Sequence, residues 1–520
     1  MDRHGSETYY VIGEGLLGES VGGRDEGPLP QGTAALTAAP TPAFRFSRLG
    51  PKGTGKQLTT ANRRRLADAM VAGGSVSQIP SGFTYLGQFT DHDLTFDKTT
   101  VMLGHNVTPA QLLQGRSPSL DLDSLYGAGP GDPASQKFYE ADGLHLKMGK
   151  TGAEGGFGAK QGFDLPRGAG STAAAKRKAI IPDPRNDENL AVAQTHLAMI
   201  RFHNRVVDTL PSSVPASQRF ARAREKVTKH YQWVLRHDFL PRICQAAVLN
   251  SVFPNNRKVF EVGAPPMSVP TMPIEFSVAA YRLGHSMVRA AYNWNKVFDA
   301  GGGTLGLLFR FAGLNGDFLG AQRLPSTWIA DFRRLYDFGE AGRANLEVPA
   351  AKFNHAMRID TTLVNPLGHL PGFPADERNL AFRNLSRAEM VKLATGQQMV
   401  RFLRSKGVNV GKLTKAQIRD GRNGVDLQSL TQAQRAAVLR DTPLWFYVLR
   451  EAEFNGGRLK GVGARLVAET FQRAMQGSQF SIVRDASFRP SLGPNSNTFR
   501  MVDLLLFAFE GKKSLLAPLG

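Results

Sequence analysis

The chain has 520 residues, 42% of them apolar, with a formal charge of +20 and a single cysteine, Cys244. That length suits one large domain or two to three ordinary ones, and one cysteine excludes both an internal disulfide and a thiolate metal cluster. The charge suits anionic partners, but the basic residues are scattered and the two dense runs, NRRRLAD and AAKRKAI, lack the interleaved aromatics of a base-stacking surface, so no specific nucleic-acid function is expected.

Residues 1–44 are rich in Gly, Pro and Thr and read as an N-terminal extension to one domain over 45–520. Gly13, Gly15 and Gly18 form a G-x-G-x-x-G, but ESVGGRDEGPLPQG follows it and cannot open the helix that a dinucleotide site requires. The start lacks a basic segment followed by an apolar one, so a cytoplasmic location is the default expectation, with non-classical secretion left open. No run of about 18 apolar residues is present, so no transmembrane segment is expected. Helical patterning begins near 55 and leads into YLGQFTDHDLTFD; residues 100–180 are loop-heavy and rich in glycine. From 187 to 250 apolar residues recur at helical spacing, with Asn186 or Asp187 as the expected N-cap. Further helices are predicted near 276–291, 386–404, 429–455 and 463–475. The fold class read from this pattern is mainly α, a single large helical domain with long irregular loops and little β.

Five segments carry candidate chemistry. On a helix, Gln88, Asp91 and His92 share a face, whereas Asp93 is turned by about 100° from His92 and must face elsewhere; a core histidine held by its neighbours has the same pattern. In GRSPSLDLDSLYG, Ser117, Ser119, Asp121 and Asp123 alternate with leucines, which in an extended loop points hard oxygen ligands one way. A solvated acidic loop has the same pattern. Arg185 and Glu188 stand three apart at a helix mouth, as an ion pair or as groups aimed at a ligand. His285 follows a glycine in YRLGH on an apolar stretch, and Asn384 and Arg387 stand three apart in RNLSRAEM; each also reads as ordinary core.

Taken together and in this order, the segments resemble the animal-type haem peroxidases, the group of myeloperoxidase and lactoperoxidase, and most of all their bacterial relatives with few cysteines. The resemblance implies a helical fold around a b-type haem and a calcium ion. It implies that His92, Gln88 and Arg185 are the distal catalytic residues. It makes His285 the proximal iron ligand, held by Asn384, with Arg282 and Arg387 also against the haem. Asp93, Ser117, Ser119, Asp121 and Asp123 become the calcium shell. Asp91 and Glu188 fall where family members form ester links to haem, and Asn189 replaces the methionine of a third link, which disfavours chloride oxidation. Hydrogen peroxide and a small anionic or phenolic donor are the implied partners; oligomeric state is not specified. A fatty-acid dioxygenase of the same superfamily and a non-catalytic haem protein are the alternatives. The dioxygenases carry a radical-forming tyrosine three residues before the proximal histidine, where this chain has Arg282, with Tyr281 one residue off.

Overall fold

The computed structural model describes residues 9–11, 15–17, 44–55, 58–99, 101, 103–253 and 257–520. The extension expected over 1–44 lies outside the described residues apart from Phe44 and a short antiparallel hairpin, Tyr9–Val11 with Gly15–Leu17. Gly15 therefore sits in a strand, not at the mouth of a helix.

The chain is mainly α, 46% helical, and every sheet among the described residues has two strands. The elements that build the site are β1 (Phe46–Ser47), α1 (Thr60–Met70), β2 (Val76–Pro80), α2 (Gly82–Leu94), α3 (Leu190–Asp208), α4 (Ala216–Val234), β3 (Met272–Pro273), α5 (Gly284–Met287), β4 (His355–Met357), α6 (Leu380–Met390), α7 (Leu444–Glu453), α8 (Gly461–Gly477) and α9 (Met501–Ala508). β1 pairs with β3 in parallel and β2 with β4 antiparallel, so both pairs join segments remote in sequence.

At the centre, α2 packs on α3, which packs in turn on α4 and α9. All residues of α2 except Gly87 are buried. A helix closed in on every side leaves its polar side chains no water, so each must find a protein or ligand partner. Two glycines allow the approach. A Cβ on Gly82 would stand 2.3 Å from the ring of Tyr336, and one on Gly87 would stand 3.1 Å from Phe239.

The long helices expected after 187 are present, but the first begins later than expected. Pro184–Asp187 is a 3-10 turn capped by Asp183, and Asn189 caps α3 by accepting from the Val192 N–H at 3.0 Å. Pro184 at the first position of that turn already fixes the backbone, which leaves the capping role to Asn189. The helix expected over 276–291 is instead three short turns, Ile274–Ser277, Ala280–Leu283 and Gly284–Met287. The one expected over 386–404 divides into α6 and Gly396–Ser405, and that over 429–455 into Gln432–Arg440 and α7. Pro443 accounts for the second break, because its ring excludes the helical bond of its own nitrogen. No described helix is long and apolar enough to cross a membrane.

Candidate active site

On α2, Gln88, Asp91 and His92 are all buried. His92 Nδ1 lies 2.9 Å from Asn186 Oδ1, an acceptor, so Nδ1 holds the proton and Nε2 carries the lone pair. Nε2 faces Glu188, whose Oε1 is 3.8 Å away. Burial and then the charge of Arg185 press the imidazole down to about 3, so it is neutral at ordinary pH. Asn186 was read in the sequence only as a possible cap; its role beside His92 depends on a turn that the sequence pattern did not reveal.

Glu188 is fully buried; its Oε1 accepts from the amide of Gln88, while its Oε2 finds no hydrogen-bond partner. Burial raises this carboxyl well above its ordinary range, against the opposing pull of Arg185. Burial likewise lifts Asp91 to about 6, against the opposing pull of Arg185 and Arg282. Asn189 Nδ2 donates to Gln88 Oε1 at 3.1 Å and ties the start of α3 to α2. Arg185 is buried and engaged: Nε and Nη2 donate to Asp183, and Nη2 also reaches the carbonyls of His92 and Thr95 at 3.1 and 2.5 Å.

His285 sits in the single turn α5, which packs against α2. Its Nδ1 lies 2.7 Å from Asn384 Nδ2 on α6, and the other end of that amide accepts from Arg282. Trp445 of α7 meets the His285 ring edge-on at 6.3 Å and donates its indole N–H to the Arg282 carbonyl at 3.3 Å. Sequence reading passed over Trp445, since nothing in its local pattern separates it from other buried aromatics of α7.

Next to these groups runs a crevice of about 490 Å³, partly open to solvent, with apolar walls including Phe46, Leu112 and Met390 and with Arg282 and Arg387 along it. Arg387 pairs with Asp97 at 3.4 Å. In kind these residues fit a haem, with a histidine on each of two packed elements, two buried arginines for its carboxylates and an unsatisfied carboxyl oxygen on Glu188, although neither histidine lines the crevice itself.

Asp93 turns away, as its position after His92 requires. Its Oδ2 accepts from the Leu122 N–H at 3.2 Å, and its Oδ1 from the N–H and hydroxyl of Ser124 at 3.4 Å each. Leu122 has a φ of 60°, a strained left-handed conformation for leucine that bends the loop around this carboxylate. Burial, and then the charge of Asp123, raise Asp93 well above its usual range; burial and Asp123 lift Asp121 to about 7. The loop thus gathers three carboxylates, Asp93, Asp121 and Asp123, whose charge is opposed in part by Arg116 and Arg224; oxygen groups of this kind are the type that a hard cation takes. Asp121 also accepts from the Gln479 N–H at 2.8 Å, Asp123 from Arg224 at 3.4 Å, and Ser117 Oγ from the Ser119 N–H at 3.4 Å, while the Ser119 hydroxyl donates to the Gly477 carbonyl at 3.3 Å. Among the described residues no three His, Cys, Asp or Glu side chains form a ready-made metal cluster.

Residues 78–302 match the family model described as animal haem peroxidase. A peroxidase-like protein of Margaritifera margaritifera is 30% identical over 116 residues, 21% of this chain and 14% of that protein's length. Among solved structures, peroxidase A of Dictyostelium discoideum is similar over 91% of this chain and 94% of its own, with a TM-score of 0.60 and 16% identity. Fatty acid alpha-dioxygenases of Oryza sativa and Arabidopsis thaliana are similar over 90% of this chain and 84% and 77% of theirs, with TM-scores of 0.57 and 0.55 and identities of 11% and 12%. The chain thus carries a match to the animal haem peroxidase model over residues 78–302 and shares the overall fold of these peroxidase and dioxygenase structures.

Proposed function

We propose that the protein is a haem peroxidase that reduces hydrogen peroxide and oxidises small anions such as iodide, bromide and thiocyanate, or phenols. The observation that carries this reading is the state of His92, with Nδ1–H bound to Asn186 and an unprotonated Nε2 turned into buried space beside Gln88 and Glu188. A neutral imidazole there takes a proton from one peroxide oxygen and returns it to the other as that oxygen departs as water. Gln88 positions the peroxide, and the nearby Arg185 cation lowers the energy of the negative charge developing on the departing oxygen. His285, Arg282 and Arg387 would hold the haem, with Asn384 orienting His285. When bound, the haem supplies the two electrons that cleave the O–O bond. Asp91 and Glu188 are the candidate ester links. Asp93, Asp121, Asp123 and the oxygens of Ser117 and Ser119 would hold calcium, which pins the end of α2 that carries His92.

A second reading, a fatty-acid dioxygenase, is favoured by the likeness to two plant alpha-dioxygenases. Against it, the third position before His285 is Arg282, and Tyr281 spends its hydroxyl on the Gly87 carbonyl at 3.2 Å. The test is to load the protein with haem, then measure peroxide-dependent oxidation of iodide and of a phenol beside oxygen uptake with a fatty acid. Peroxide-dependent turnover without oxygen uptake supports the peroxidase; oxygen uptake with no peroxide-dependent turnover overturns it.

A further inference from the structure

Asp183 lies fully buried between two arginines. On one side Arg185, two residues on, gives it three bonds: its backbone N–H and Nε to Oδ1, both at 3.0 Å, and Nη2 to Oδ2 at 2.7 Å. On the other side Arg116 Nη2 donates to the same Oδ2 at 2.6 Å. The Phe96 ring lies beneath both guanidiniums, 4.3 Å from Arg185 and 5.8 Å from Arg116. Burial alone would favour the neutral acid, yet the two arginines hold Asp183 well below the carboxylate range, so it stays charged. Arg116 directly precedes Ser117, the first residue of the oxygen-rich loop.

We infer that Asp183 is the positioning residue for the Arg185 guanidinium, and that Arg116 couples this placement to the loop of residues 117–123. The inference rests on the reading of Arg185 as a distal-site cation. A two-point carboxylate bond along the Nε edge fixes the plane of a guanidinium, which one bond to a carbonyl cannot do. The backbone at the end of α2 completes the frame, since Arg185 also binds the carbonyls of His92 and Thr95. Any shift of Arg116 with its loop acts on Oδ2, the atom that it shares with Arg185. In Asp183→Asn, an amide N–H replaces one acceptor and must point at one of the two arginines, so the fork opens.

The experiment titrates fluoride into the haem-loaded protein by absorption from pH 4 to 8, for wild type, R185Q, D183N, their double variant and R116Q. Fluoride binding needs a distal hydrogen-bond donor and reads placement without turnover. R185Q is expected to weaken fluoride by about tenfold, D183N by a similar factor, and the double variant by no more than either alone, because residues acting as one unit are not additive. R116Q is expected to weaken it by about threefold, the smaller effect of losing one bond. Full additivity of D183N and R185Q, or wild-type affinity in D183N, overturns the positioning role; wild-type affinity in R116Q overturns the coupling. If D183N does not load haem, D183E takes its place, since a longer arm displaces the guanidinium; wild-type affinity there also overturns the role. Unchanged fluoride binding in R185Q means that the distal reading itself fails and takes this inference with it.

Discussion

Asn384 stands with its amide between His285 and Arg282, 2.7 Å from the imidazole Nδ1 on one side and bonded to the guanidinium on the other. Here Nδ2 faces the imidazole and Oδ1 faces Arg282. A histidine that gives Nε2 to a metal keeps its proton on Nδ1 and needs an acceptor there. Serving a haem-bound His285 would take the amide oxygen away from Arg282, which keeps its bond to the Ser277 carbonyl at 3.1 Å. Asn384→Leu keeps the volume and removes the acceptor; it is expected to weaken haem retention by about 10- to 100-fold. Haem transfer to an excess of a haem-scavenging apoprotein measures this, and an unchanged transfer rate would remove Asn384 from the proximal site.

His92→Ala is expected to retain haem and to slow peroxide cleavage by about 10²–10⁴, the usual contribution of a positioned acid–base group. Mixing with peroxide in a stopped-flow cell reads this as the rate of the first absorbance change. With His92 pressed down to about 3, the wild-type rate is expected to hold level between pH 4 and 7. A fall centred near 6.5, the ordinary histidine range, would show a different base at work.

Burial raises both Asp91, to about 6, and Glu188, and so favours the neutral carboxyl, the form that an ester replaces. After peroxide turnover, acid–organic solvent should leave most haem on the wild-type chain. The double variant D91N/E188Q should release it unmodified, and each single variant should keep one link. Complete release from wild type would be falsifying for both links.

Away from the site, His145 bridges Asp142 and Asp208, with Nδ1 at 2.5 Å from one and Nε2 at 3.0 Å from the other, and so pins the loop after Tyr139 to the end of α3. Partial burial opposes its charge, but the two carboxylate bonds outweigh this and raise its pKa. A histidine raised in the folded state stabilises fully below its unfolded value, about 6.5, and this is lost as pH rises through the folded value. His145→Gln should therefore lower stability by about 0.5–1 kcal/mol at pH 5–6, the modest scale of solvent-screened pairs, and by little at pH 9. Denaturant midpoints at both pH values test it; an equal loss at both would assign the effect to packing.

Much of the site was legible because its chemistry is written in short local spacings. Three-residue and four-residue steps put Gln88, Asp91 and His92 on one face, and the next residue, Asp93, had to face elsewhere whatever the rest of the chain did. The long helices α3, α4 and α8 were legible for the same reason, since each repeats its apolar residues over several turns. The turns around His285 were not, because four-residue helices are too short to show a period.

By itself, then, the sequence determined the class of fold, the stretches in which its longest helices lie and the residue types set out for each candidate site. Only the tertiary structure decided that Asn186 fixes the tautomer of His92, that Trp445 walls His285, and that Asp183 is shared by Arg185 and Arg116. In the last case the residues are 67 apart in sequence. A hydrogen bond is specified by the distance and direction between two atoms, and for residues on different segments those are set by how helices pack, not by their order along the chain.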